Sequence, residues 1–191
     1  MPYLQILAHV RLVDVPDPSE QSQGTMPGTS DRPSPAMPLT GRCYDEFTVG
    51  DRFTTPARTI TEADIVLFAG LSGDYAPMHT DEEYAKDSIF GGRVAHGTLT
   101  FVLTTGLMFR MPHLYHETIL GLLGIDNVRY LHPVRAGDTI HAEIEIISKR
   151  ETSKPGRGVI VQRVTTRNAE EVDVVVCEFT NLIKRVNGDA A

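Results

Sequence analysis

The segment that most constrains the fold is Thr98-Leu-Thr-Phe-Val-Leu-Thr-Thr-Gly-Leu-Met-Phe-Arg-Met111, which opens after Gly97 and stops at Pro112. It is apolar nearly all round, relieved only by threonines, Gly106 and Arg110. A helix of that kind in a soluble protein is predicted to be wrapped by other structure. After it the period changes from helical to two. Thr139-Ile-His-Ala-Glu-Ile-Glu-Ile146 alternates, with Ile140, Ala142, Ile144 and Ile146 on one face, as a half-buried strand does. Val159 to Val164 and Val174 to Val186 read as two further strands, the last putting Val175, Cys177, Phe179 and Ile183 together. Val128 to Val134 is another, before the turn Arg135-Ala-Gly-Asp138, and Arg52 to Ile60 holds a first strand. One long central helix and about five strands, four of them in meander order, predict an α+β fold. In it an antiparallel sheet curls its apolar face around the helix. Such a sheet leaves edges, so pairing into a homodimer or higher even oligomer is expected.

At 191 residues, 41% hydrophobic and 23% charged, the chain has room for one domain with an extension. Residues 16–38 hold six of the twelve prolines, so 1–40 are expected to be a flexible extension and 41–187 a single folded domain. The net charge of −7 argues against nucleic-acid binding. No run is long enough to span a bilayer, and the start lacks a basic leader, so cytoplasmic residence is the expectation. Cys43 and Cys177 are distant and outside any zinc spacing, and read as apolar fillers or free thiols. His113-Leu-Tyr-His116 has no third ligand beside it, so no metal is expected there.

The chemistry concentrates in Phe68-Ala-Gly-Leu-Ser-Gly-Asp-Tyr-Ala-Pro-Met-His-Thr-Asp-Glu-Glu-Tyr-Ala85. Asp74 and His79 stand five residues apart across Pro77, which forbids a continuous helix between them. Thr61-Glu-Ala-Asp64 predicts a helix start, with Ile65, Phe68 and Ala69 on one face and an end at Ser72-Gly73. Thr80-Asp-Glu-Glu83 predicts a second, short helix capped by Thr80. Its positive end would disfavour a charged His79, while Asp74 would favour one, and a histidine so balanced serves as acid or base. Phe90-Gly-Gly-Arg-Val-Ala-His-Gly97 leads into the buried helix. The amides of Gly97 and Thr98 lie in its first turn, without intrahelical partners, and can receive a carbonyl oxygen that gains charge.

Ser72-Gly-Asp-Tyr-Ala-Pro-Met-His79, followed by Ala95-His-Gly97 and a long helix, resembles the MaoC-type, (R)-specific enoyl-CoA hydratases of the hot-dog fold. The resemblance covers residues 44–185 in element order and is most specific from Phe68 to Gly106. It implies that Asp74 and His79 are the catalytic pair, that the Gly97 amide polarises a thioester carbonyl, and that the family's helix hydroxyl falls at Thr105. It also implies hydration of a trans-2-enoyl thioester, or the reverse, without metal or cofactor. Tyr75, Pro77, His96, Thr98 and Arg93 flank these groups as expected substrate contacts, His96 by ordering the loop rather than reacting. Arg93, Arg110, Arg129 and Lys149 are positioned as a basic rim for the phosphates of CoA or a carrier protein. The family often has Asn where this chain has Ala76, which removes a supporting contact. A thioesterase of the same fold and a non-catalytic thioester-binding subunit are the competing expectations. Residues 98–111 contain no acid, which favours hydration over thioester hydrolysis.

Overall fold

The computed structural model describes residues 41–186, so the expectation for an extension over 1–40 lies outside the described residues. A 3-10 turn, Tyr44–Glu46, precedes strands β1 (Arg52–Thr54) and β2 (Arg58–Thr59). Helices α1 (Glu62–Ser72), α2 (Pro77–Thr80), α3 (Glu82–Ala85), α4 (Gly97–Phe109) and α5 (Pro112–Tyr115) follow. The chain ends in four long strands, β3 (Ile119–Tyr130), β4 (Thr139–Glu151), β5 (Arg157–Asn168) and β6 (Asp173–Lys184). All pair antiparallel in one sheet of order β1-β4-β5-β6-β3, with β2 also on β4. This is the hot-dog arrangement, an α+β sheet laid around α4.

The inward face is the one the alternation marks. Ile140, Ala142, Ile144 and Ile146 of β4 are all fully buried, and Val164, Cys177, Phe179 and Ile183 join them. Each fully buried aliphatic side chain of this size contributes roughly 1.5–3 kcal/mol. Against this face α4 buries Leu99, Thr100, Thr104, Leu107 and Met108. Two polar pairs are matched within this core, while Gln162 Nε2 and Thr118 Oγ1 are buried without a partner among the described residues. The Thr104 and Thr166 hydroxyls lie 2.7 Å apart, and the Tyr115 hydroxyl donates to Gln162 Oε1 at 2.7 Å. The opposite side of α4, with Thr98, Val102 and Phe109, is open to solvent. The sheet therefore wraps α4 as expected, and among the described residues the side of the helix away from it stays open.

Three expectations change. The sheet has six strands rather than about five, because Pro56, which has no N–H to give a ladder, interrupts the stretch 52–60. Only β4, β5 and β6 form a meander; β3 pairs with β6, in the register Ile125↔Phe179 and Tyr130↔Val175. The strand read at 128–134 spans 119–130 instead. Its register shifts at Ile119/Gly121, Leu122/Gly124 and Asp126/Arg129, and these hide the alternation by which a strand is recognised. Among the described residues no helix is long and apolar enough to cross a membrane.

Candidate active site

Helix α1 aims the first site residue. Thr61 caps it, its hydroxyl accepting from the Asp64 amide, while the Asp64 carboxylate accepts from the Thr61 amide at 2.8 Å. The helix ends in the left-handed residue Gly73 (φ 75°), a conformation that glycine adopts without steric cost. The turn delivers Asp74, whose Oδ1 accepts from the Ala76 amide at 3.2 Å. Pro77 then occupies the first position of α2, where its missing N–H costs nothing. His79 sits inside this turn, buried at 8% exposure.

The cap expected at Thr80 is at Asp81, which accepts from the Tyr84 amide at 3.1 Å and starts α3. Thr80 lies within α2, its hydroxyl turned to the Tyr75 and Ala76 carbonyls. A carboxylate makes the stronger cap here, and the helix-end effect expected on His79 falls on Asp81 instead.

Segment 90–97 closes over α2. Arg135 donates to the Phe90 carbonyl and, at 3.2 Å, to the Arg93 carbonyl. The Val94 amide donates to Met78 O at 3.1 Å, and the Ala95 amide to Val134 O at 2.7 Å. The Val94 carbonyl lies 2.7 Å from His79 Nδ1. A carbonyl only accepts, so Nδ1 carries the proton, and in the neutral form of the ring Nε2 presents a lone pair. By the same argument His96 Nε2, 2.9 Å from the Asp74 carbonyl oxygen, is protonated. The two imidazole rings stack at 3.8 Å between centroids, 28° apart.

These groups border a cavity of about 520 Å³ lined by Asp74, His79, His96, Gly97 and Thr98, with Met78, Phe90, Val94, Ala95 and Thr100. The strand ends close it with Tyr130, Leu131, His132, Pro133, Val134 and Val175. Gly97 allows a close approach: a Cβ there would lie 3.0 Å from the half-exposed Tyr130 ring, which would have to give way by a few tenths of an ångström. Donor atoms of Asp74, His79 and His96 fall within 4.8 Å of one another. As a metal set they fit poorly, because each histidine has one nitrogen committed to a carbonyl and the other of His96, Nδ1, is sealed in protein without a partner.

Not every expected residue reaches the cavity. Asp74, His79, His96, Gly97 and Thr98 line it, whereas Tyr75 and Pro77 are exposed and outside its lining. Thr105 stands two turns along α4, about 12 Å from Gly97. Its hydroxyl donates to Phe101 O, and it borders a separate cavity of about 40 Å³ with Met108 and Phe109. Thr98 and Thr100 are the hydroxyl residues of α4 at the main cavity. Arg93 is paired to Glu62 at 2.6 Å and Glu82 at 3.2 Å, and so braces the loop instead of offering a cation. Arg110 donates to Ala57 O, Arg129 to Val128 O and Lys149 to Phe47 O, so none of the expected basic rim faces the cavity. Tyr130 and His132 went unread because they come from a strand end that only the β3–β6 pairing brings here. The bare Gly97 signals a close neighbour but not which one.

Comparison with known proteins matches residues 46–172 of the 191 to the family described as MaoC like domain. The chain is 40% identical over 114 residues to Protein MaoC of Klebsiella aerogenes, covering 60% of this chain and 32% of that one. It is 37% identical over 92 residues to an (R)-specific enoyl-CoA hydratase of Rhodospirillum rubrum, covering 47% and 60%. The chain thus spans about a third of the first relative and less than two thirds of the second. The crystal structure of a MaoC-like dehydratase from Rhodospirillum rubrum superposes with a TM-score of 0.68 at 29% identity, covering 76% of this chain and 98% of that one.

Proposed function

This chain belongs to the MaoC-like domain family, and on that premise we propose that it is a hydro-lyase acting between trans-2-enoyl and 3-hydroxyacyl thioesters, with CoA as the expected carrier. The observation that carries the proposal is one cavity bordered by three groups at once. They are an acceptor imidazole (His79 Nε2), a carboxyl group (Asp74) and the first-turn amides of α4 (Gly97, Thr98).

The Val94 carbonyl fixes the tautomer of His79, so Nε2 takes a proton from a water held between it and Asp74. The water oxygen bonds to C3 and the C2–C3 π electrons move onto the thioester oxygen. That oxygen, now an enolate, accepts from the Gly97 amide, which needs no reorganisation to receive it. His79 hands the water's proton to the Asp74 carboxylate, and collapse of the enolate draws it onto C2, so both groups end as they began. Dehydration runs the same steps backwards. The apolar wall of Met78, Phe90, Leu131, Pro133 and Val175 suits an acyl chain.

The test is incubation with trans-2-enoyl-CoA substrates of varied length, with chiral analysis of the product. A (3R)-hydroxyacyl-CoA is expected, formed about 10²- to 10⁴-fold more slowly in Asp74→Asn and His79→Ala. Release of free CoA without a hydroxyacyl product supports the thioesterase reading and defeats this one.

A further inference from the structure

His96 is the most enclosed polar side chain at the cavity, 1% exposed, yet no proton of the scheme above passes through it. Its Nδ1 is buried with no hydrogen-bond partner among the described residues. An unpaired polar atom in that setting is unfavourable, and a phenylalanine would fill similar space without it. Enclosure alone therefore does not account for an imidazole.

Its contacts do. Nε2–H donates to the carbonyl oxygen of Asp74 at 2.9 Å, tying down the backbone of a residue that otherwise sits exposed on a turn. One ring face lies on the His79 ring at 3.8 Å between centroids, and the Val94 carbonyl anchors that ring through Nδ1. Phe68 of α1 packs against the His96 ring at 5.1 Å. The residue is also the N-cap of α4, so its ψ of 135° aims the amide of Gly97. Three of the groups assigned to the reaction are thus referenced to one side chain and its own peptide.

We propose that His96 is the positioning residue of this site, holding Asp74 through its donor and His79 through its face. The proposal rests on the hydro-lyase reading. Two substitutions separate the contacts: His96→Gln keeps a donor for the Asp74 carbonyl but removes the aromatic face, and His96→Phe keeps the face but removes the donor. Each is expected to lower kcat about 10- to 100-fold while KM stays within about threefold, because misplacement by a fraction of an ångström acts on the reacting geometry. In the Asp74→Asn background, His96→Phe should cost less than about threefold more, since the group it positions is already disabled. Unchanged kcat, equal costs in both backgrounds, or losses that follow a fall in folded fraction would overturn the assignment. Imidazole ¹⁵N spectra supply a readout independent of turnover: His96 should be the Nε2–H tautomer and His79 the Nδ1–H tautomer. A wild-type chain that hydrates no enoyl-CoA defeats the hydro-lyase reading. In that event the spectrum alone decides the contact geometry, and a His96 protonated on Nδ1 rejects it.

Discussion

At the scale of single residues, Ala76 stands where the family resemblance leads one to expect an asparagine, and the turn around it closes without that side chain. It is the N-cap of α2 and provides no side-chain cap, while its carbonyl still accepts from the His79 amide at 2.9 Å. The turn therefore closes through the backbone. Restoring the side chain as Ala76→Asn should raise stability by about 0.5–1 kcal/mol, read from urea unfolding, since asparagine caps where alanine cannot. Asp74→Asn and His79→Ala should each cut kcat/KM by about 10²- to 10⁴-fold in a continuous enoyl-CoA assay, with circular dichroism unchanged. Cys177 answers to a different environment. Burial, reinforced by the neighbouring Glu178, pushes its thiol up to about 12. It should resist maleimide at pH 8 until denaturant is added, as mass spectrometry would register.

At the scale of elements, the cap of α1 links folding to acidity. Burial raises the Asp64 carboxyl, but hydrogen bonds from Thr61 and the Arg58 guanidinium outweigh it and hold the group below its ordinary value. A depressed folded value means the stabilisation is complete above the unfolded value of about 3.9 and is lost as pH falls through the folded one. Asp64→Asn should therefore lower the melting temperature at pH 7 and flatten its decline below about pH 4. This helix was also the most legible in the sequence, because Thr61, Asp64 and Gly73 each act on backbone groups within a few residues. The alternation of β4 was legible for the same local reason. The bulged β3 was not, nor was the choice of Asp81 over Thr80 as cap, where two adjacent oxygen-bearing side chains compete for one role. In the site, the acid, the imidazole and the helix entry are readable because one short segment carries them. Tyr130 and His132 are not, since nothing near them in the chain records that β3 will lie beside β6.

At the scale of the whole molecule, β3 is an edge strand whose apolar side chains are not all covered. Leu120, Leu122 and Leu123 are about half exposed, and Val102 and Phe109 of α4 show on the open side of the helix. An uncapped edge with apolar side chains invites a second strand. The expected outcome is a dimer by light scattering, with Leu122→Lys shifting the population to monomer. Unaltered mass in that variant would move the contact elsewhere.

The pairing of β3 with β6 also sets the order in which the protein can be made. A ribosome releases Ile119–Tyr130 before β4 and β5 exist, yet the partner of Ile119 is Ile183, close to the end of the described chain. Until then β3 has nowhere to dock, and Tyr130 cannot take its place beside Gly97. A nascent chain halted before Asp173 would hold Asp74, His79 and the whole of α4 but not the wall that completes their cavity. The cavity should accordingly be complete only once β6 has been released.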